Sequence, residues 1–274
     1  MKMHFGKCAL CGCECDLSFE HIPPRAAFNS TPTKPVSGSE ILTDKNINAP
    51  NRMPWDVSGL KYENQQKGMG KFSLCDSCNN NTGSWYGAEY IKFVHTIHME
   101  IQKRTENPGN ILEVQGIYPL RIIKQILSMF CSTNNPEDPH FDEIRQFVLN
   151  REATGLDKAK FKVCMYFTDT TLIKYTGFNV VLHIGESGTS SMALSELTAY
   201  PLGFILYFEP TGDWNYQGFD ITTFADWPYN KTATVQMPWK IQAMNDMFPE
   251  MYRSRDEIRK FFEEHRKRDD QHES

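Results

Sequence analysis

Cys8-Ala9-Leu10-Cys11-Gly12 and Cys75-Asp76-Ser77-Cys78-Asn79-Asn80-Asn81-Thr82-Gly83 organise the first third of this chain, with 63 residues separating Cys11 from Cys75. Each stretch carries a Cys-x-x-Cys pair. Two-residue spacing lets both sulfurs of a pair reach one ion while amides of the turn steady the anionic thiolates. Four soft ligands of this kind suit zinc in a closed, tetrahedral, structural role. The first pair reads as a knuckle turn with its glycine in place, and the second as a helix start, the arrangement of a treble-clef finger. Cys13 and Cys15 are alternative ligands if the knuckle slips register.

The surrounding pattern predicts an α+β chain. Residues 1–25 read as a short hairpin. Residues 29–71, rich in Pro, Ser, Asn, Thr and Gly, read as a long irregular insertion, a length of loop that usually has a function. From Cys75 a helix is predicted to about Glu100, with Trp85, Tyr86, Ala88, Tyr90, Ile91 and Val94 on its buried face. Glu106-Asn107-Pro108-Gly109-Asn110 marks a break. Helices are predicted next at Tyr118–Cys131 and Phe141–Asn150, then strands at Phe161–Phe167, Leu172–Ile184, Met192–Tyr200, Gly203–Phe208, Asp220–Phe224 and Thr232–Met237, an antiparallel sheet. The tail from Ser254 reads as an amphipathic helix with seven basic and seven acidic residues over 251–274, a solvated face. The expected organisation is a finger over 1–105, an α+β domain over 110–252 and a charged helix over 253–274.

Composition excludes several classes. With 274 residues, 40% hydrophobic and 23% charged, the chain buries a substantial core and is not disordered. Its longest apolar run, Ala199–Phe208, is broken by Pro201 and Gly203, well short of the ~20 residues a membrane helix needs. The opening Met-Lys-Met-His-Phe-Gly-Lys-Cys has no apolar core, so a cytoplasmic protein is expected, and there clustered cysteines mark metal sites rather than disulfides. The net charge of −5 argues against coating nucleic acid through bulk positive charge. Residues 1–103 are near neutral, with 11 basic and 10 acidic side chains, so any such contact is local.

Between the cysteine pairs lies Leu17-Ser18-Phe19-Glu20-His21-Ile22-Pro23-Pro24-Arg25. If both pairs hold one zinc, Glu20 and His21 come near the helical turn carrying Asn79. A carboxylate and an amide oxygen are hard ligands suited to Mg²⁺ or Mn²⁺. An imidazole beside them can take a proton from a water that attacks phosphorus. Asn79 also fits a helix cap, and Asn80 competes with it as ligand. Arg25 and Lys71 are candidate phosphate contacts. His95 and His98, at i and i+3, read as satisfied histidines, and Cys131 and Cys164 as core.

The series Cys-x-x-Cys, Glu-His-Ile-Pro-Pro, Cys-x-x-Cys-Asn-Asn-x-Thr-Gly resembles the HNH (ββα-metal) nuclease superfamily, in plan most like the recombination endonuclease VII type. The resemblance covers residues 8–95. It implies a ββα-metal fold, structural zinc on Cys8, Cys11, Cys75 and Cys78, and a catalytic divalent ion on Glu20 and Asn79. It further implies His21 as general base and DNA as substrate, with RNA not excluded. The acidic residue is Glu where the family commonly has Asp. In place of the motif's middle Asn stands Gly68-Met69-Gly70-Lys71, with Asn64 the nearest substitute. The rival expectation is a non-catalytic finger that grips nucleic acid or protein. The acidic remainder is expected to select substrate, to assemble oligomers or to meet a regulatory partner.

Overall fold

A computed structural model describes residues 4–45, 53, 55–103, 111–185, 188–243 and 249–272, without the side chains of 184, 185 and 265–272. The N-terminal hairpin is present. Strand β1 (Phe5–Lys7) pairs antiparallel with β2 (Glu14–His21) across the knuckle. There the Cys8 N–H donates to Cys13 O at 2.8 Å and the Gly12 N–H to Cys8 O at 2.9 Å. Gly12 takes φ +72°, a left-handed conformation that glycine adopts without penalty. The described residues between 22 and 69 are irregular, apart from α1 (Gly38–Thr43), capped by the Ser37 hydroxyl, and three isolated bridges, Thr33 to Gln65, Val36 to Tyr62 and Gln66 to Gly68. The chain returns as β3 (Gly70–Cys75), antiparallel to β2, completing a three-stranded sheet in the order β1-β2-β3.

From β3 the chain enters α2 (Asp76–Thr82), passes through one π-helical stretch at Gly83–Gly87, and continues as α3 (Ala88–Lys103). The helix expected from Cys75 is therefore present, with a π insertion that the periodicity does not announce. Tyr90, Phe93, Val94, Ile97 and Ile101 form the buried stripe of α3. The predicted break at Glu106–Asn110 lies outside the described residues.

Strand β4 (Ile111–Ile117) leads into α4 (Pro119–Thr133), in which every residue except Arg121 is buried. A helix buried all round belongs at the centre of a molecule. α5 (Asp142–Leu149) packs on it, and the chain then forms β5 (Phe161–Thr168), β6 (Lys174–Gly185), β7 (Gly188–Ala199), β8 (Leu202–Phe208) and β9 (Phe219–Asp220). Next come β10 (Ala233–Pro238), β11 (Ile241–Gln242) and α6 (Arg255–His272). The larger sheet runs β11-β5-β8-β7-β6 with β9 also on β5, antiparallel except for β11 beside β5. β4 and β10 form a separate antiparallel ribbon.

Two local expectations differ from the structure. The strand expected over Asp220–Phe224 ends at Asp220, because the Thr222 N–H and hydroxyl both donate to Asp220 Oδ1, turning the chain into a 3₁₀ segment at Thr222–Asp226. β4 is absent from the predicted strands, although Leu112 and Val114 alternate with exposed neighbours. α6 begins with a capping box, Ser254 Oγ accepting from the Glu257 N–H and Glu257 Oε2 from the Ser254 N–H. Among the described residues no helix is long and apolar enough to cross a membrane.

One buried cluster runs from Cys8 through α3, α4 and α5 to Met237. Polar ties reinforce it. Arg145 on α5 donates from Nε to Ala9 O in the knuckle at 3.0 Å, and Tyr86 Oη donates to Val148 O at 2.7 Å. The aromatic residues Trp85, Tyr86 and Tyr90 join the finger's helix to this core, Trp85 also accepting at its carbonyl from Tyr229 Oη.

Candidate active site

The finger sheet and α2 bring four sulfurs together. Cys8, Cys11, Cys75 and Cys78 all lie within 4.8 Å of one another, near enough to hold a zinc ion. Cys8 and Cys78 are buried, Cys75 is half-buried and Cys11 is exposed. The Cys75 N–H donates to Cys8 Sγ at 3.3 Å and the Cys78 N–H to Cys75 Sγ at 3.4 Å, so Cys75, not Asn79, caps α2. The Cys78 thiol and backbone amides favour the Cys8 thiolate against desolvation, whereas the hydrogen bond to Cys8 pushes the Cys78 thiol up and desolvation pushes the Cys11 thiol up. Four clustered sulfurs, two of them accepting from backbone amides, are a donor set that zinc takes once their protons are lost.

Beside this cluster opens a cleft of about 240 Å³ whose lining includes Glu20, His21, Arg25, Asn79 and Gln125. Two glycines of the π stretch, Gly83 and Gly87, also line it. Such insertions occur frequently at functional sites. Glu20, near the end of β2, is only 6% exposed. Its Oε2 accepts from Ser73 on β3 and from Ser132 on α4. Burial pushes its carboxyl up to about 7, although both hydroxyls pull the other way. Among the described residues Oε1 receives no hydrogen bond.

His21 packs edge-on against Phe19, ring centroids 5.1 Å apart, and its Nε2 lies 3.0 Å from Lys67 O. A carbonyl only accepts, so Nε2 carries the hydrogen and the neutral ring presents Nδ1 as its base. Desolvation holds the imidazole below its usual range, and the Arg25 charge adds to this. The loop after His21 is held on both sides. Asn29 donates to Pro23 O and Met69 O and accepts from the Met69 N–H, all at 2.7 Å, and Tyr175 on β6 donates to Ile22 O.

Asn79 sits in the second half of α2 and donates from Nδ2 to Ser18 Oγ at 3.1 Å, which leaves Oδ1 as its acceptor. Asn79 lines the cleft; Asn80 does not. Lys71 is directed elsewhere, its ammonium donating to Thr133 O at the C-terminus of α4 at 3.2 Å. Asn64 accepts from Gln66 on the exposed insertion. His95 and His98 are engaged by Ala26 O and Tyr200 Oη, both at 2.8 Å, with Phe28 packed against both rings. Cys131 and Cys164 are buried.

Sequence reasoning missed the part α4 plays in the site. Gln125 and Ser132, one face of that helix, reach the cleft or its carboxylate, and among the described residues the buried Gln125 Oε1 has no hydrogen-bond partner. The available signal was polar side chains at Gln125, Ser128 and Ser132, spaced i, i+3, i+7 along one side of a helix that is otherwise apolar between Gln125 and Ser132. Three oxygens without donors among the described residues, Glu20 Oε1, Asn79 Oδ1 and Gln125 Oε1, therefore belong to residues around one cleft, a donor set that could hold a hard divalent cation.

Across the finger sheet runs a row of aromatic rings. His4 stacks on Phe72 at 3.6 Å, Phe72 meets Phe19 at 5.3 Å, and Phe19 meets His21. Phe5 and Phe72 are 72% and 40% exposed. Comparison of the chain with family models, with curated proteins and with solved structures finds no match in any of the three.

Proposed function

We propose that this protein is a metal-dependent endonuclease of the HNH type, a zinc-held treble-clef finger whose cleft hydrolyses phosphodiester bonds in DNA. The observation that carries the reading is the common cleft of Glu20, His21, Asn79 and Arg25 beside four clustered cysteines. Glu20 Oε1 and Asn79 Oδ1 would hold a Mg²⁺ or Mn²⁺ ion, with Gln125 Oε1 as a third oxygen. When bound, the ion supplies positive charge to the scissile phosphate and its leaving oxygen.

The chain's own residues do the rest. His21 Nδ1 takes a proton from water as the water oxygen bonds to phosphorus and the phosphorus–sugar oxygen bond breaks, the departing oxygen taking a proton from solvent. The Nε2–H bond to Lys67 O keeps the tautomer that makes this possible. Lowered basicity leaves the ring neutral, and so competent, at neutral pH. Arg25 offers a guanidinium to a phosphate oxygen. The larger sheet, in this reading, supports α4, whose Ser132 orients the carboxylate.

Plasmid nicking tests the proposal. Zinc-loaded protein with Mg²⁺ or Mn²⁺ should convert supercoiled plasmid to open circle, and His21→Ala should abolish this without changing zinc content. Nicking that survives the substitution removes His21 from the chemistry. A second reading, a non-catalytic nucleic-acid-binding module, is favoured by the row of aromatic rings, since exposed rings stack on unpaired bases whatever their sequence. It predicts binding of single-stranded DNA that is independent of divalent ions.

A further inference from the structure

Four cysteines do not account for the sulfur in the finger. Cys13 Sγ lies 3.3 Å from Cys11 Sγ and 2.8 Å from Cys15 Sγ. Cys13, Cys15 and Cys75 also have their sulfurs within 4.8 Å of one another, a second group able to hold an ion. The register explains the juxtaposition. Leu17 on β2 is paired with Cys75 on β3, and alternate residues of a strand share a face, so Cys15 is a diagonal neighbour of Cys75. Cys13, two residues earlier, is fixed by the knuckle, where its carbonyl accepts from the Cys8 N–H.

We propose that the six cysteines form one cluster for two thiophilic divalent ions. Cys8 and Cys78 are terminal ligands of an inner ion, Cys13 and Cys15 of an outer ion, and Cys11 and Cys75 are shared by both. Four terminal and two shared sulfurs supply the bonds that two tetrahedral ions need. The shared pair has the right separation: Cys11 and Cys75 are 3.8 Å apart, and zinc–sulfur bonds of about 2.3 Å give a tetrahedron edge of about 3.8 Å. Charge also favours the assembly. Two divalent ions on six thiolates carry the same net charge as one ion on four, so the second ion neutralises the two added thiolates. Burial grades the two positions, with the inner terminal ligands Cys8 and Cys78 buried and the outer ones exposed at Cys13 and half-buried at Cys15, so the outer ion exchanges first. None of this depends on the nuclease reading.

Metal content tests the cluster in the full chain. Zinc-reconstituted protein should hold two ions by mass spectrometry of the metal, and the Cys13→Ser/Cys15→Ser variant one, with circular dichroism unchanged. One ion in the unaltered protein overturns the proposal, as do two in the variant. Cadmium-113 NMR of the unaltered protein needs no variant. Two signals in the thiolate-rich range that split one another establish shared sulfurs, whereas a single signal, or two without mutual splitting, refutes them.

Discussion

The Ser132 hydroxyl of α4 donates to Glu20 Oε2 of β2, joining residues 112 positions apart. The contact makes the candidate carboxylate a joint product of the finger and the helix that packs behind it. Ser132→Ala removes one of the two hydroxyls that steady a buried charge. Hydrogen bonds to charged groups contribute about 1.5–3 kcal/mol, so urea unfolding should show a loss of that order. A loss below the error of the extrapolation contradicts the contact's importance.

Glu20 itself is a buried carboxylate with two neutral donors and, among the described residues, no cationic side chain bonded to it. Glu20→Gln relieves that cost and should stabilise the protein, at pH 8 without added magnesium, by about 1–3 kcal/mol. The same substitution should abolish nicking. A variant both less stable and fully active runs against the assignment.

Gln125→Leu replaces a buried amide whose oxygen lacks a partner with an apolar side chain of similar size. Melting temperature should rise or hold. Plasmid nicking should fall about 10–100-fold, the range for disturbing a metal site's immediate surroundings. Unchanged nicking rates would separate Gln125 from the site.

The distribution of what the sequence made legible reflects range. The cysteine pairs, the knuckle, the helix from Asp76 and most of the sheet strands depend on spacing within a few residues, and they were readable. So was the gathering of Glu20, His21, Asn79 and Arg25 around one cleft, because two metal-spaced pairs imply which strand faces which helix. Gln125 and Ser132 were not, since their approach depends on how α4 packs against the finger. Lys71 shows the same limit in reverse: it pairs with Glu20 in the strand register, yet its ammonium is drawn to the open carbonyl of Thr133. At Asp220–Phe224 an aspartate-centred turn overrode an apolar pattern.

Arg145 donates from Nε to the Ala9 carbonyl and from its two terminal nitrogens to Asp138 O, Asp142 Oδ1 and Asn135 O. No lysine reproduces that planar fork. Arg145→Lys should cost about 1–3 kcal/mol in denaturant unfolding by leaving carbonyls without donors. Zinc content should stay constant, because no sulfur is touched.

Stripping the thiolate-bound metal should unfold the finger, since binding energy at such sites is folding energy. A strong chelator should therefore lower the unfolding temperature and expose Cys8 and Cys78 to thiol reagents, and readdition of zinc should reverse both. Retention of the native melting curve after complete zinc removal contradicts a structural role.

Anomalous scattering from crystals soaked in Mn²⁺ shows whether the cleft holds an ion. A manganese peak is expected there, about 2.0–2.3 Å from oxygens of Glu20 and Asn79, with His21 Nδ1 facing the ion's open side. Saturating Mn²⁺ that leaves the cleft without a peak, or that binds away from both oxygens, contradicts the proposed ion site.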